Sequence, residues 1–159
     1  MAYLLDTNIF IESRKNLPMD VWTTFWSKLS ELAMNGHVVS SVKVKEEIAK
    51  GYDELSGWIK EHVPAGFFLP IDSQDMAAFA QLQNWAMGKD FTDTAKNEFA
   101  TNADAYIIAT ASARQMTLVT FEKSNPQRKN RVMIPDACAA IGVACCDLNT
   151  MLRSIGITI

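Results

Sequence analysis

Tyr3-Leu4-Leu5-Asp6-Thr7-Asn8-Ile9-Phe10-Ile11 decides the fold. The apolar run Tyr3-Leu4-Leu5 ends at an acid, the polar pair Thr7-Asn8 follows, and Ile9-Phe10-Ile11 restores apolar character. This order reads as buried strand, turn and helix. The pattern recurs along the chain. His37-Val38-Val39-Ser40-Ser41 reads as a second buried strand, and Val44 to Lys50 has helical composition before Gly51. Between these units, Val21, Trp22, Phe25, Trp26, Leu29, Leu32 and Ala33 recur at three- and four-residue steps, predicting a helix over Asp20 to Asn35 that Gly36 stops. Asp53 to His62 reads as another helix and Phe67 to Ile71 as β-like, with Ser73 capping a helix that carries Met76, Phe79, Ala80 and Trp85 inward. Lys89 to Asn102 is polar and weakly periodic, a loop or an exposed helical segment. Ala103 to Gln115 is a strong helix and Thr117 to Thr120 a strand. A polar, basic loop covers Lys123 to Arg131, and Val132-Met133-Ile134 reads as the last strand. Strands alternating with helices of this length imply βαβ units. The expected fold is α/β, a three-layer α/β/α sandwich with a mostly parallel central sheet, forming a single domain over residues 1–159.

Composition narrows the function classes. The 159 residues include 15 Lys and Arg against 18 Asp and Glu, a formal charge of −3. Apolar residues make up 48% and charged residues 21%, which excludes a disordered or collagen-like chain. A mildly acidic protein does not coat nucleic acid by bulk charge, although a local basic patch can serve a small footprint. The longest stretch free of Asp, Glu, Lys and Arg runs from Met76 to Gly88, far short of the roughly 20 residues of a membrane-spanning helix. Asp6 interrupts the apolar start where a secretory signal would continue, so the cytoplasm is the expected compartment and no membrane partner is expected. Cys138, Cys145 and Cys146 are odd in number and lack C-x-x-C spacing. His37 and His62 stand far from them, so buried thiols fit better than zinc.

In a parallel sheet, ligands bind beyond the carboxyl ends of the strands. Asp6 and Glu122 both follow predicted strands. Asp104 shares a helical face with Ile107, Ile108 and Ala111, so its carboxylate lies in line with an apolar stripe that surface acids avoid. Its first-turn position favours the ionised form. Glu47 lies at an apolar margin beside Ile48, and Glu46 competes with it. Carboxylates brought together repel one another unless a cation compensates them, and oxygen-only ligands suit Mg²⁺ or Mn²⁺. Such an ion can activate water and offset charge growing on a phosphodiester. The competing account makes Asp6 and Asp104 cap or turn residues, Glu46 and Glu47 a solvated face, and Glu122 a loop acid.

The residues also carry a family resemblance. Leu4-Leu5-Asp6-Thr7-Asn8-Ile9-Phe10 resembles the opening of the PIN-domain ribonucleases, and particularly of the VapC-type toxins of bacterial toxin–antitoxin pairs: a hydrophobic strand running into Asp-Thr-Asn or Asp-Thr-Ser. In Ser41 to Gly51, Glu47, Ile48 and Gly51 fall into the register of the second motif, where Glu and a following Leu or Ile precede a Gly by four positions. Ala103 to Ala111 resembles the third, an Ala-Asp followed by an apolar, Ala-rich helix. Leu118-Val119-Thr120 with Glu122 resembles the fourth, a strand ending in Thr with an acid two positions later. The motifs run in family order over most of the chain.

The resemblance implies a Mg²⁺- or Mn²⁺-dependent endoribonuclease. Asp6, Glu47 and Asp104 would be its metal-binding and catalytic acids, Glu122 the fourth acid, and Asn8 and Thr120 polar supports. It also implies an RNA substrate, a cognate antitoxin protein and a homodimer. Two departures place the chain in a divergent branch: Glu122 stands where Asp is commoner, and the segment before Asp104 is longer than in compact relatives.

Lys123, Arg128, Lys129 and Arg131 follow Glu122 and could grip RNA phosphates, or form a solvated loop. Trp22, Trp26, Trp58 and Trp85 keep helical company and read as packing residues. Asp136, after Ile134-Pro135, is an alternate acid near the cluster or a cap. Two other functions compete. A phosphohydrolase working through an aspartyl intermediate would use Asp6 as nucleophile and Lys123 on the phosphate, but it wants a second Asp where Asn8 stands. A PIN-like module that binds RNA or protein with weak turnover would follow from an altered Glu122.

Overall fold

Leu4 and Leu5 point to opposite faces of one strand and both are fully buried, so the sheet they belong to is covered on both sides. The same holds for Leu118 and Val119. The computed structural model describes residues 2–159. Tyr3–Leu5 forms β1, Thr7–Asn16 α1, Thr23–Met34 α2, Val38–Ser41 β2, Val42–Ala49 α3 and Asp53–His62 α4. A 3₁₀ turn at Ala65–Phe67 leads into β3 (Phe68–Leu69) and then α5 (Ser73–Met87), α6 (Asp93–Thr101) and α7 (Ala103–Arg114). Thr117–Val119 is β4, Ile134–Ile141 α8, Cys145–Cys146 β5 and Leu148–Ile155 α9.

The strand order is β3-β2-β1-β4-β5, and every pairing is parallel. From β1 the chain builds outward through β2 to β3, then returns to lay β4 against the other side of β1. The reversal falls between β1 and β4, and such a switch point opens a crevice at the strands' carboxyl ends. The Ser40 hydroxyl braces the neighbouring strand by donating to the Leu5 carbonyl at 2.7 Å.

The expected α/β sandwich is present, and so are helices over Thr23–Met34, Asp53–His62 and Ala103–Arg114. α7 is the central helix. Ala105, Ile107, Ile108, Ala109 and Ala111 are buried around its circumference, as in a helix enclosed by others. It packs against α3, α5, α6 and α8, and its alanines let those neighbours approach closely. Arg114, at its end, donates to the Pro70 carbonyl at 2.7 Å and to the buried Asp75 carboxylate at 3.1 Å, pinning the first turn of α5.

Several local expectations are corrected. Val132-Met133-Ile134 is not the last strand, because Ile134 begins α8. Pro135 in its first turn has the fixed φ that suits a helix start. The fifth strand is Cys145–Cys146, too short to show a period. The cap of α5 is Asp72 rather than Ser73, through a reciprocal Asp72–Asp75 capping box. Its buried face runs through Asp75, Ala78, Leu82 and Ala86, leaving Met76 and Ala80 exposed. Within Lys89 to Asn102, Asp93–Thr101 is a helix that buries Ala95 and Phe99. Trp26 and Trp58 form a buried T-shaped pair at 5.1 Å, Trp85 packs on Phe91 and Phe99, and Trp22 is exposed. Cys138 is buried, while Cys145 and Cys146 are half-buried free thiols.

Candidate active site

Four separate segments meet at the crevice between β1 and β4. β1 delivers Asp6 and Thr7, α3 delivers Glu47, the first turn of α7 delivers Asp104, and the chain leaving β4 delivers Phe121 and Glu122. Together with Asn8, Ile11, Glu12 and Arg131 these residues line a cleft of about 470 Å³. The four acids expected from the sequence are therefore brought together. Asp6 stands at the N-cap position of α1 without a side-chain capping bond, and Asn102, not Asp104, caps α7 by accepting from the Asp104 N–H at 3.1 Å.

Asp6 is 2% exposed. Its Oδ2 accepts from the Thr120 hydroxyl at 2.8 Å, and Thr120 Oγ1 in turn accepts from Asn8 Nδ2 at 3.2 Å and from the Glu122 N–H at 3.1 Å. Asn8 Oδ1 accepts from the Phe121 N–H at 3.1 Å. Asn8 and Thr120 thus fix both the carboxylate of Asp6 and the course of the chain beyond β4. Thr7 donates a long hydrogen bond to Glu47 Oε2 at 3.4 Å. Glu47 faces the cleft, whereas Glu46 is exposed and pairs with Lys43 at 3.7 Å.

Electrostatic strain is concentrated here. Burial pushes the Asp6 carboxyl well above its ordinary range, and the nearby Asp104 and Glu122 charges add to the rise against the opposing Thr120 bond. Asp104 is pushed up to about 7, first by burial and then by Glu122, with Arg131 pulling the other way. Burial also raises Glu47, offset by its bond from Thr7 and by Lys50 and Arg131. Among the described residues, no ion pair involves Asp6 or Glu47. Carboxylates in this state gain most from a cation.

The donor set is all oxygen, which suits Mg²⁺ or Mn²⁺ rather than a thiolate-seeking metal. As the side chains stand, no three acidic, His or Cys groups among the described residues close tightly enough to enclose an ion. The Arg131 guanidinium lies instead against Glu122 at 2.6 Å and Asp104 at 3.5 Å.

Arg131 therefore differs from the rest of the basic stretch. It turns into the cleft, whereas Lys123, Arg128 and Lys129 are exposed. Lys129 is held by Asp90 at 2.9 Å, and Arg128 by Asn130 at 2.8 Å. Asp136 does not line the cleft. It accepts from the Ser124 hydroxyl and from the Asn125 N–H, bracing the loop after β4 rather than capping α8. Sequence reading gave no role to Thr7 or Phe121. Thr7 sits within the quoted Asp-Thr-Asn, and Phe121 is the residue between Thr120 and Glu122, so proximity to named positions was the available signal. A smaller groove beside Glu47 is lined by Lys43, Glu46, Lys50 and Asn102, and no motif marked its lysines.

A family profile described as "Domain of unknown function (DUF4411)" matches residues 3–159. No curated protein matches the sequence. Among solved structures, one chain of VapBC2 from Rickettsia felis, bound to a DNA fragment from its promoter, superposes with a TM-score of 0.55 at 18% identity, covering 92% of this chain and 98% of that one. A chain of FitAcB from Neisseria gonorrhoeae gives 0.53 at 23% identity, with 90% and 95% covered. A chain of FitAB bound to an IR36 DNA fragment gives 0.53 at 25% identity, with 91% and 94% covered.

Proposed function

The chain belongs to the DUF4411 family and has a VapC-like PIN-domain fold, and from that premise we propose that it is a Mg²⁺- or Mn²⁺-dependent endoribonuclease, the toxin of a toxin–antitoxin pair. The observation that carries this reading is the convergence of Asp6, Glu47, Asp104 and Glu122 in one cleft, with Asp6 buried and without a cationic partner. Asp6, Glu47 and Asp104 would hold the ion. When bound, a divalent cation supplies activation of water and neutralisation of charge on the phosphodiester. Thr120 orients Asp6, Thr7 restrains Glu47, and Asn8 keeps Phe121 and Glu122 at the mouth of the cleft.

The substrate is RNA, reached from the cytoplasm. No helix among the described residues is long and apolar enough to cross a membrane. The partner is an antitoxin, a reading supported by the likeness of this chain to one chain each of VapBC2 and FitAB; a homodimer is what the family resemblance alone implies.

The test is incubation of the purified protein with labelled total RNA in Mn²⁺, Mg²⁺ or EDTA, beside Asp6→Asn and Asp104→Asn. Metal-dependent cleavage lost in either variant is the expected result. Cleavage that survives both substitutions refutes the assignment of the site. Binding without cleavage would favour the weak-turnover module, and a trapped acyl phosphate on Asp6 the phosphohydrolase.

A further inference from the structure

We infer that Glu122 is not a ligand of the ion but the anchor of Arg131, whose guanidinium is the fixed cation that meets the RNA phosphate in the cleft. This deepens the nuclease reading above and rests on it. Both carboxylate oxygens of Glu122 are already committed. Oε1 accepts from the backbone N–H of Ile134 at 3.1 Å, and Oε2 accepts from Arg131 Nη2 at 2.6 Å. Asp6 and Glu47 make no ion pair among the described residues, and Asp104 makes only the 3.5 Å contact with Arg131.

Chain length explains the difference. Glu122 leaves the end of β4, and its side chain must span to the first residue of α8, so the methylene that distinguishes Glu from Asp provides reach toward Ile134 and Arg131 rather than toward an ion. The backbone N–H of Glu122 donates to Thr120 Oγ1, the same atom whose hydroxyl proton is shared with Asp6, so the anchor is keyed to the acid cluster.

Charge accounts for the use. Asp6, Glu12, Glu47 and Asp104 with one divalent cation leave the cleft net negative, which repels a phosphodiester. Pairing with Arg131 keeps Glu122 from adding to that charge, and the guanidinium places N–H donors where a phosphate would enter. Only Nη2 of Arg131 is engaged in the pocket, the side chain is 41% exposed, and a guanidinium has further N–H donors suited to phosphate oxygens.

The experiment is Mn²⁺ titration calorimetry together with RNA cleavage on the wild type, Glu122→Gln, Arg131→Lys, Arg131→Ala and Asp104→Asn. Glu122→Gln and Arg131→Ala should bind Mn²⁺ with the wild-type stoichiometry and within about tenfold of its Kd, while Asp104→Asn loses the ion. Arg131→Ala should cut with kcat lower by about a hundredfold, and Arg131→Lys should recover part of it. Loss of Mn²⁺ binding in Glu122→Gln, with the wild type active, would make Glu122 a ligand and overturn the assignment. Cleavage by Arg131→Ala at or above the wild-type rate would overturn the role of Arg131. A wild-type chain that binds no Mn²⁺ and cuts no RNA overturns the nuclease reading, and this inference with it.

Discussion

Asp104 was legible in the sequence because its offset from Ile107, Ile108 and Ala111 put an acid on an inward face, and the structure finds it there with its proton affinity raised to about 7. An unfolded Asp titrates near 4. A carboxyl raised by folding favours the folded state while protonated, so this contribution is complete below about pH 4 and disappears as pH climbs through 7. Metal-free protein should therefore melt at a lower temperature at pH 8 than at pH 5, and Asp104→Asn should flatten that difference in a calorimetric scan. Mn²⁺ affinity should move the opposite way, strengthening as pH rises through 7, because the ligands must lose their protons first. Arg131 was legible only as a basic residue. Nothing in its neighbours on the chain indicates that it folds back 9 positions onto Glu122, since that depends on where α8 begins.

At the scale of elements, periodicity identified the long helices and failed where an element is shorter than its own repeat. β5 has 2 residues, so no alternation exists to detect; β3, equally short, lies within the β-like run Phe67 to Ile71. Ile134 belonged to an apolar triplet that resembled a strand, and Pro135 was the clue that a helix begins there. The junction of α5 and α7 is held by a contact that no local pattern shows. Asp75 is 1% exposed and its Oδ2 faces Arg114 at 3.1 Å. Arg114→Ala would leave that carboxylate buried without its cation and should cost about 3 kcal/mol in urea unfolding. One residue further on, Gln115 closes α7 in the left-handed region at φ 53°. Gln115→Gly relieves that conformation and should stabilise the fold by about 0.5–1 kcal/mol, seen as a higher urea midpoint with an unchanged slope.

For the whole molecule, the site is a product of topology: the order β3-β2-β1-β4-β5 sets Asp6 and Glu122 side by side although 116 positions separate them in sequence. The family motifs made all four acids legible, while their environment emerged only with the fold, because burial and mutual repulsion are properties of the assembled cleft. An ion that binds the folded form alone should raise the melting temperature with concentration. At a hundred times its Kd the stabilisation is about 2.7 kcal/mol, so Mn²⁺ should shift the wild type upward while Asp6→Asn stays put and EDTA reverses the shift. The central position of β1 has a consequence for synthesis. β1 acquires its second flanking neighbour only after Thr117–Val119 has been made, and the cleft still lacks Arg131 at that stage. A nascent chain that has not yet reached Arg131 thus gathers the acids of the cleft without the guanidinium that faces them.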